Sequence, residues 1–391
     1  MSTILEIIKG PYLQSPKVDG MTIMWETSMP ASSCVDVLLA ERIHSGHQGN
    51  YRKPDQVLST IQHEDFTTIH RVTVEGLAPE QLYFYRISSR DTDSEVMSDT
   101  FPLKTAVPPG GAFSFAVTSE TGGYSGFDTT GGSINRRIFQ QMQRYRPDLA
   151  LFIGDIVNDG REYEDWETYF FGPGRDFLTN TPFYSCLGNH ECNGEWYDKL
   201  LDFPAPRNYY SFDYGDVHFT CLDSTDFIPD DTYPYANGGI APGNAQFDFL
   251  VQDLASSTAK WKIVFFHYPP YVSGGYQVED LRQLSPLFEA NEVDLVITSH
   301  TIVYERSHPL YQGQIDEARG ITYIVAGGAG AMPSWLLPKR EWHTSQSVAV
   351  PHFVQVVVTP SRLELRAIDD EGRLFDQFIL KKDQASQRTY F

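Results

Sequence analysis

The chain has few cysteines, little positive charge and no long apolar run, and each shortage closes off a class of protein. Only four cysteines occur in 391 residues: Cys34, Cys186, Cys192 and Cys221. None forms a CxxC pair or a zinc-ribbon spacing, which argues against a thiolate zinc framework. Buried free thiols are the reading, with a local Cys186 to Cys192 bridge as the alternative. Lys plus Arg number 30 against 51 Asp plus Glu, a formal charge of −21. That balance argues against nucleic acid or an anionic membrane as partner, and its even spread along the chain reads as solubility. No stretch reaches the ~18 apolar residues of a membrane span. The opening MSTILEIIKGPYLQ lacks a basic segment before an apolar core and lacks a small-residue cleavage site. The expectation is a cytoplasmic protein acting on a small molecule, although a removed leader would leave no trace. Oligomeric state is not readable.

What is present is ample material for packed interiors, 41% hydrophobic and 14% aromatic residues. The length suggests two or three domains. Residues 1–107 read as an all-β domain. Gly20 to Trp25 and Ile69 to Val74 alternate, Cys34 to Leu39 can form a strand, and Leu82 to Ile87 places Tyr83 and Tyr85 on one face with Phe84 on the other. The segment Thr105-Ala-Val-Pro-Pro-Gly-Gly111 is hostile to helix and marks a boundary. Residues 108–391 change to strand, loop and helix. Strands are expected at Phe113 to Thr118, Leu149 to Ile153, Val217 to Asp223, Trp261 to His267 and Val293 to His300, and helices at Ile134 to Tyr145, Ala245 to Ala255 and Leu281 to Ala290. The tail from Gly320 to about Leu380 returns to strands.

Chemistry gathers where those strands end. Gly154-Asp155 follows the uncharged run Leu149 to Ile153, at the carboxyl end where open α/β sheets place ligands. Alone, Asp155 is as well read as a turn cap as a metal ligand. Glu120, His267 and His300 also close strands, and Asn189 and His190 lie in the loop Leu187-Gly-Asn-His-Glu191. Mixed oxygen and imidazole donors delivered to one sheet edge suit a transition ion rather than Ca or Mg. Tyr124, Tyr268, Tyr271 and Tyr276 fall in the loops that follow, either as a packed rim or as a wall for an aromatic or extended substrate.

Gly154-Asp155, then Gly188-Asn-His-Glu191, then His267-Tyr-Pro-Pro-Tyr271, then Ser299-His300 through Tyr304-Glu-Arg306 resembles the calcineurin-like metallophosphoesterases, most closely the purple acid phosphatase branch. Gly10-Pro-Tyr-Leu-Gln14 and the β-rich region after it resemble the fibronectin-type-III-like domain of that branch. The resemblance implies a four-layer α/β/β/α sandwich preceded by an all-β domain, with the metal centre on the loops. It implies that Asp155 would bridge two metals, that Asn189, His267 and His300 would complete the second position, and that His190 would contact the phosphoryl group and assist the leaving group.

The first metal position departs from that pattern. Ser119-Glu120 stands where the family has Gly-Asp, Asn158 where it has a metal-binding tyrosine, and Ile302 where the fifth motif has a second histidine. Glu120 and Asn158 are the remaining candidate ligands there, with His343 or His352 as conceivable substitutes. One firmly held transition ion (Fe, Mn or Zn) is therefore expected, with a second only if weak. Three readings follow: a phosphoesterase acting through metal-activated water, the same fold with an altered mononuclear chemistry, or a non-catalytic binding protein. Candidate cations for an anionic substrate are Arg136, Arg137 and Arg306.

Overall fold

The computed structural model describes residues 4–43, 50–52, 56–122, 133–225, 240–331, 340–382 and 388–390. Tyr124 lies outside them. The chain divides into two compact units, one of residues 1–108 with 175–183, the other of residues 109–174 with 184–391. No described helix is long and apolar enough to cross a membrane.

The first unit is all β apart from its short second segment. Its hub is the strand Gly20–Leu39, which pairs antiparallel with Ile7–Lys17, Val57–Val74 and Leu82–Arg90. Two separate strands were expected here. The structure joins them into one that loses register between Glu26 and Ser33, around Pro30, whose missing N–H interrupts a ladder. In Leu82–Arg90 every second residue points inward, so Tyr83, Tyr85 and Ile87 meet Trp25, Val35 and Val37 in the core. Trp25 stacks on His70 with ring centroids 4.7 Å apart, and the Ser33 and Thr27 hydroxyls satisfy the buried imidazole.

The described residues of the second unit hold two large sheets and a small hairpin, Leu310–Tyr311 with Gln314–Ile315. One runs in the order Arg388–Tyr390, Leu374–Lys382, Arg362–Asp369, His352–Thr359, Phe113–Thr118, Leu149–Phe152. The other runs Tyr210–Tyr214, Val217–Cys221, Trp261–Phe265, Leu295–Thr298, Thr322–Ala326, Tyr304–Ser307, Thr344–Val348. Aromatic rings close the space between the sheets: Phe113 meets Tyr214 at 4.7 Å and Phe115 meets Phe219 edge-on at 5.3 Å. Helix Ser133–Tyr145 covers the first sheet, with Phe139 against Phe152 and Tyr145 against Phe353. Helix Ala245–Ser256 covers the second, where Asp253 accepts from Thr220 and His218. The expected helix Leu281 to Ala290 is helical in two pieces, a 3-10 helix Glu279–Leu284 and a short α-helix Ser285–Ala290 that begins just before Pro286.

The strand ends position the site. Phe113–Thr118 and Leu149–Phe152 run parallel, as do Trp261–Phe265, Leu295–Thr298 and Thr322–Ala326. Glu120 and Asp155 therefore leave the carboxyl edge of one sheet, and His267 and His300 leave that of the other.

Candidate metal centre

Asp155, His267 and His300 come together, each offering a ligand atom within 4.8 Å of the others. The backbone is strained where they sit: Glu120 (φ 58°), Asp155 (φ 52°) and His300 (φ 63°) are all left-handed without being glycine. Close glycine contacts fix the same turn. Gly154 has φ 78°, and a Cβ on it would lie 2.7 Å from both the Gly188 nitrogen and His267 Nδ1. A Cβ on Gly188 would lie 2.2 Å from Asp155 Oδ1.

The His267 tautomer is set from behind. His267 Nδ1 donates to the Ile153 carbonyl at 2.7 Å, which turns Nε2 toward Asp155 Oδ2 at 3.0 Å. With the proton on Nδ1, that contact sets a lone pair against a carboxylate, so a positive charge has to sit between them. Without a metal that charge is a proton. Burial opposes it, but Asp155 and Glu120 raise His267 to about 9. Burial also opposes ionisation of Asp155, yet His267 and His190 hold its carboxyl well below the usual range. His300 goes the other way: burial and the neighbouring His267 push it down to about 3, leaving a neutral imidazole. Asn189 Oδ1 is buried with no hydrogen-bond donor. Two imidazoles, a carboxylate and an orphaned amide oxygen are a donor set that fits a transition ion.

Glu120 is placed differently. Its Oε1 lies 4.0 Å from His267 Nε2 and accepts from Ser299 Oγ at 2.7 Å and the His300 N–H at 2.9 Å. Burial and Asp155 push its carboxyl up to about 8. Its hydrogen bonds hold the His300 turn, and Ser299 in turn meets Ser119. Asn158 uses its carbonyl to accept from His190 Nδ1 at 2.7 Å, and the His190 N–H donates to Asp155 Oδ1 at 2.8 Å. Burial works against charge on His190, but Asp155 and the Asn158 carbonyl prevail and its pKa rises.

The tyrosines divide. Tyr268 and Tyr271 are buried in the apolar cluster behind the second sheet. Tyr271 packs on Tyr323 at 4.7 Å and carries the Arg282 guanidinium 4.6 Å over its ring. Tyr276 alone of the three is exposed, at 68%. His343 and His352 belong to other networks, beside Glu305 and under Tyr304 respectively. Arg306 is locked to Asp376 by a two-point contact, Nε donating to Oδ2 and Nη2 to Oδ1, and Arg137 pairs with Asp370. All four cysteines are free thiols.

Glu191, which closes Gly188-Asn-His-Glu191, has a role that the sequence does not announce. Fully buried, its carboxylate accepts from the N–H groups of Asp155 (2.9 Å), Ile156 (2.8 Å) and Gly188 (2.5 Å). It clasps the Asp155 loop to the Asn189 loop. Burial and Asp155 push its carboxyl up to about 7. The signal available in sequence was an acid two positions after an asparagine in a glycine-led turn, a pattern suited to back-bonding onto exposed N–H groups.

Residues 113–304 match the calcineurin-like phosphoesterase family, and residues 10–105 match the purple acid phosphatase N-terminal domain. The chain belongs to the calcineurin-like phosphoesterases, in their purple acid phosphatase-like branch. Purple acid phosphatase 15 of Arabidopsis thaliana is 26% identical over 67% of this chain and 53% of its own length. A second Arabidopsis protein, described as probable inactive purple acid phosphatase 1, is 23% identical over 83% of this chain and 59% of its own. The chain thus spans little more than half the length of these relatives. Among solved structures, purple acid phosphatase PPD1 from yellow lupin (Lupinus luteus) seeds superposes with a TM-score of 0.76 at 20% identity, over 96% of this chain and 74% of that one. That likeness shows the fold.

Proposed function

We propose that the chain is a metal-dependent hydrolase of phosphoesters that works with one firmly held transition ion at Asp155, Asn189, His267 and His300. The observation that carries this reading is the 3.0 Å approach of His267 Nε2 to Asp155 Oδ2, with Nδ1 already committed to a carbonyl. When bound, the ion supplies Lewis acidity that polarises a phosphoryl oxygen and acidifies water. The rest falls to the protein. His190, its Nδ1–H fixed on Asn158 and its pKa raised, holds a proton for the departing alcohol oxygen. Asp155 accepts the His190 N–H, so the ligand loop and the proton donor move as one piece. Glu191 keeps that piece rigid.

A second reading, altered mononuclear chemistry, draws support from Glu120. Its carboxylate is engaged by Ser299 and His300, and Ile302 offers no donor atom, so the first metal position has little to hold an ion with. Elemental analysis of protein purified without chelators should find about one transition ion per chain; two tightly held ions would refute the mononuclear reading. A panel of aryl phosphates and phosphodiesters should be turned over by the metal-loaded protein and not by His300→Ala. Turnover by His300→Ala or by stripped protein would remove the proposal. Metal without turnover would move altered chemistry ahead.

A further inference from the structure

Tyr276 is the most exposed large apolar side chain among the described residues, at 68%, and it stands beside His300, the one member of the Asp155, His267 and His300 cluster that is only partly buried. Its ring lies 5.1 Å from the His300 imidazole and inclined at 64°. Tyr268 touches the same imidazole at 4.6 Å but is buried, so the two tyrosines do different work. Tyr268 supports His300 from within. Tyr276 stands largely exposed beside the same imidazole.

The backbone holds Tyr276 there on purpose-built contacts. Its φ of 66° is left-handed, a conformation that a bulky side chain adopts only under constraint from its surroundings. The constraint comes from the residue after His300. Thr301 Oγ1 donates to the Gly275 carbonyl at 2.5 Å, and the Thr301 methyl lies so close to Gly274 that a Cβ there would meet it at 2.5 Å. The turn that strains His300 thus carries the loop that strains Tyr276. Aromatic side chains beside a few placed polar groups are the usual lining of small-molecule sites.

We infer that Tyr276 is a specificity-determining platform that stacks the planar aromatic group of an aryl phosphoester while the phosphoryl group lies at the metal centre. The inference rests on the phosphoester reading and names its substrate class. An aromatic contact of this kind strengthens binding by roughly three- to tenfold, so aryl esters are favoured over alkyl esters by about that factor.

The test uses binding, which needs no turnover. Affinities of the metal-loaded protein for phenylphosphonate and for methylphosphonate are measured by titration calorimetry. The wild type should prefer phenylphosphonate by roughly three- to tenfold. Tyr276→Ala should bring the two affinities together, while Tyr276→Phe and Tyr276→Trp keep the preference. Equal affinities in the wild type, no measurable binding of either phosphonate, or an unchanged ratio in Tyr276→Ala would overturn the inference. So would Tyr276→Phe behaving like Tyr276→Ala, since that assigns the effect to the hydroxyl. A silent hydrolysis panel with the preference intact would sink the activity and spare the platform.

Discussion

Replacing Glu191 by glutamine probes the rigidity of the metal loops without changing their volume. Oε2 receives the Asp155 and Gly188 N–H groups, and Oε1 receives that of Ile156. A glutamine amide offers one acceptor in place of two. Its better orientation keeps the oxygen on the Asp155 and Gly188 side and turns the NH2 toward the Ile156 N–H, donor against donor. One hydrogen bond is lost and one buried N–H is left unsatisfied, about 1–3 kcal/mol. The two surviving bonds lose their charge assistance, roughly another 1 kcal/mol. Relief of the carboxylate's repulsion with Asp155 gives part of this back. The expected net loss is about 2 kcal/mol of stability, together with a 10- to 100-fold weakening of metal affinity typical of groups that orient ligands, by order of magnitude. Urea unfolding of the stripped protein and competition with a chromophoric chelator measure the two separately. Glu191→Gln with metal affinity within twofold of wild type, whatever its stability, would refute the clasp.

His218 gives a pH prediction away from the metal centre. Burial disfavours its charge, but hydrogen bonds to Asp213 at 2.8 Å and Asp253 at 2.9 Å raise it to about 9. Because the folded value exceeds the unfolded value of about 6.5, the stabilisation is complete below that pH and fades as pH rises through about 9. Allowing for solvent screening at the exposed Asp213, it amounts to about 2 kcal/mol; His218→Gln should lose that much at pH 6 and much less at pH 10, and an equal loss at both would count against the ion pairs. Gly188→Ala should destabilise by at least about 1–3 kcal/mol and lower metal content, since its Cβ would meet Asp155 Oδ1 at 2.2 Å; a fully loaded, equally stable variant would show that the loops have room.

Much of this was legible in the chain because the buried strands announce themselves. The apolar runs ending at Phe152, Phe265 and Thr298 are buried strands paired in parallel with their neighbours, and the polar residues just beyond them, Asp155, His267 and His300, are brought together. Other elements hid for reasons of chemistry. Thr344–Val348 (TSQSV) has no apolar pattern, and is a strand because Thr344 and Ser347 hydrogen-bond the buried Glu305 across it. Glu191 acts through backbone N–H groups, which carry no side-chain signature. Tyr268, Tyr271 and Tyr276 looked alike in the sequence because burial is decided by the partner surface. Only the packing of Tyr271 on Tyr323 and Arg282, against the exposure of Tyr276, separates them.

The nine residues from Arg175 to Phe183 belong to the first unit although the second has already begun. Within that unit the Tyr85 hydroxyl donates to the Thr179 carbonyl, and Gln14 reaches the Phe183 carbonyl. The consequence is temporal. On a ribosome, where amino-terminal domains ordinarily finish first, this one cannot be completed until the chain has been made through Phe183, well into its neighbour's sequence. A gene cut at the Pro-Pro-Gly-Gly connector would yield an amino-terminal fragment missing one of its own pieces, so exchange of these domains by recombination has no clean joint there.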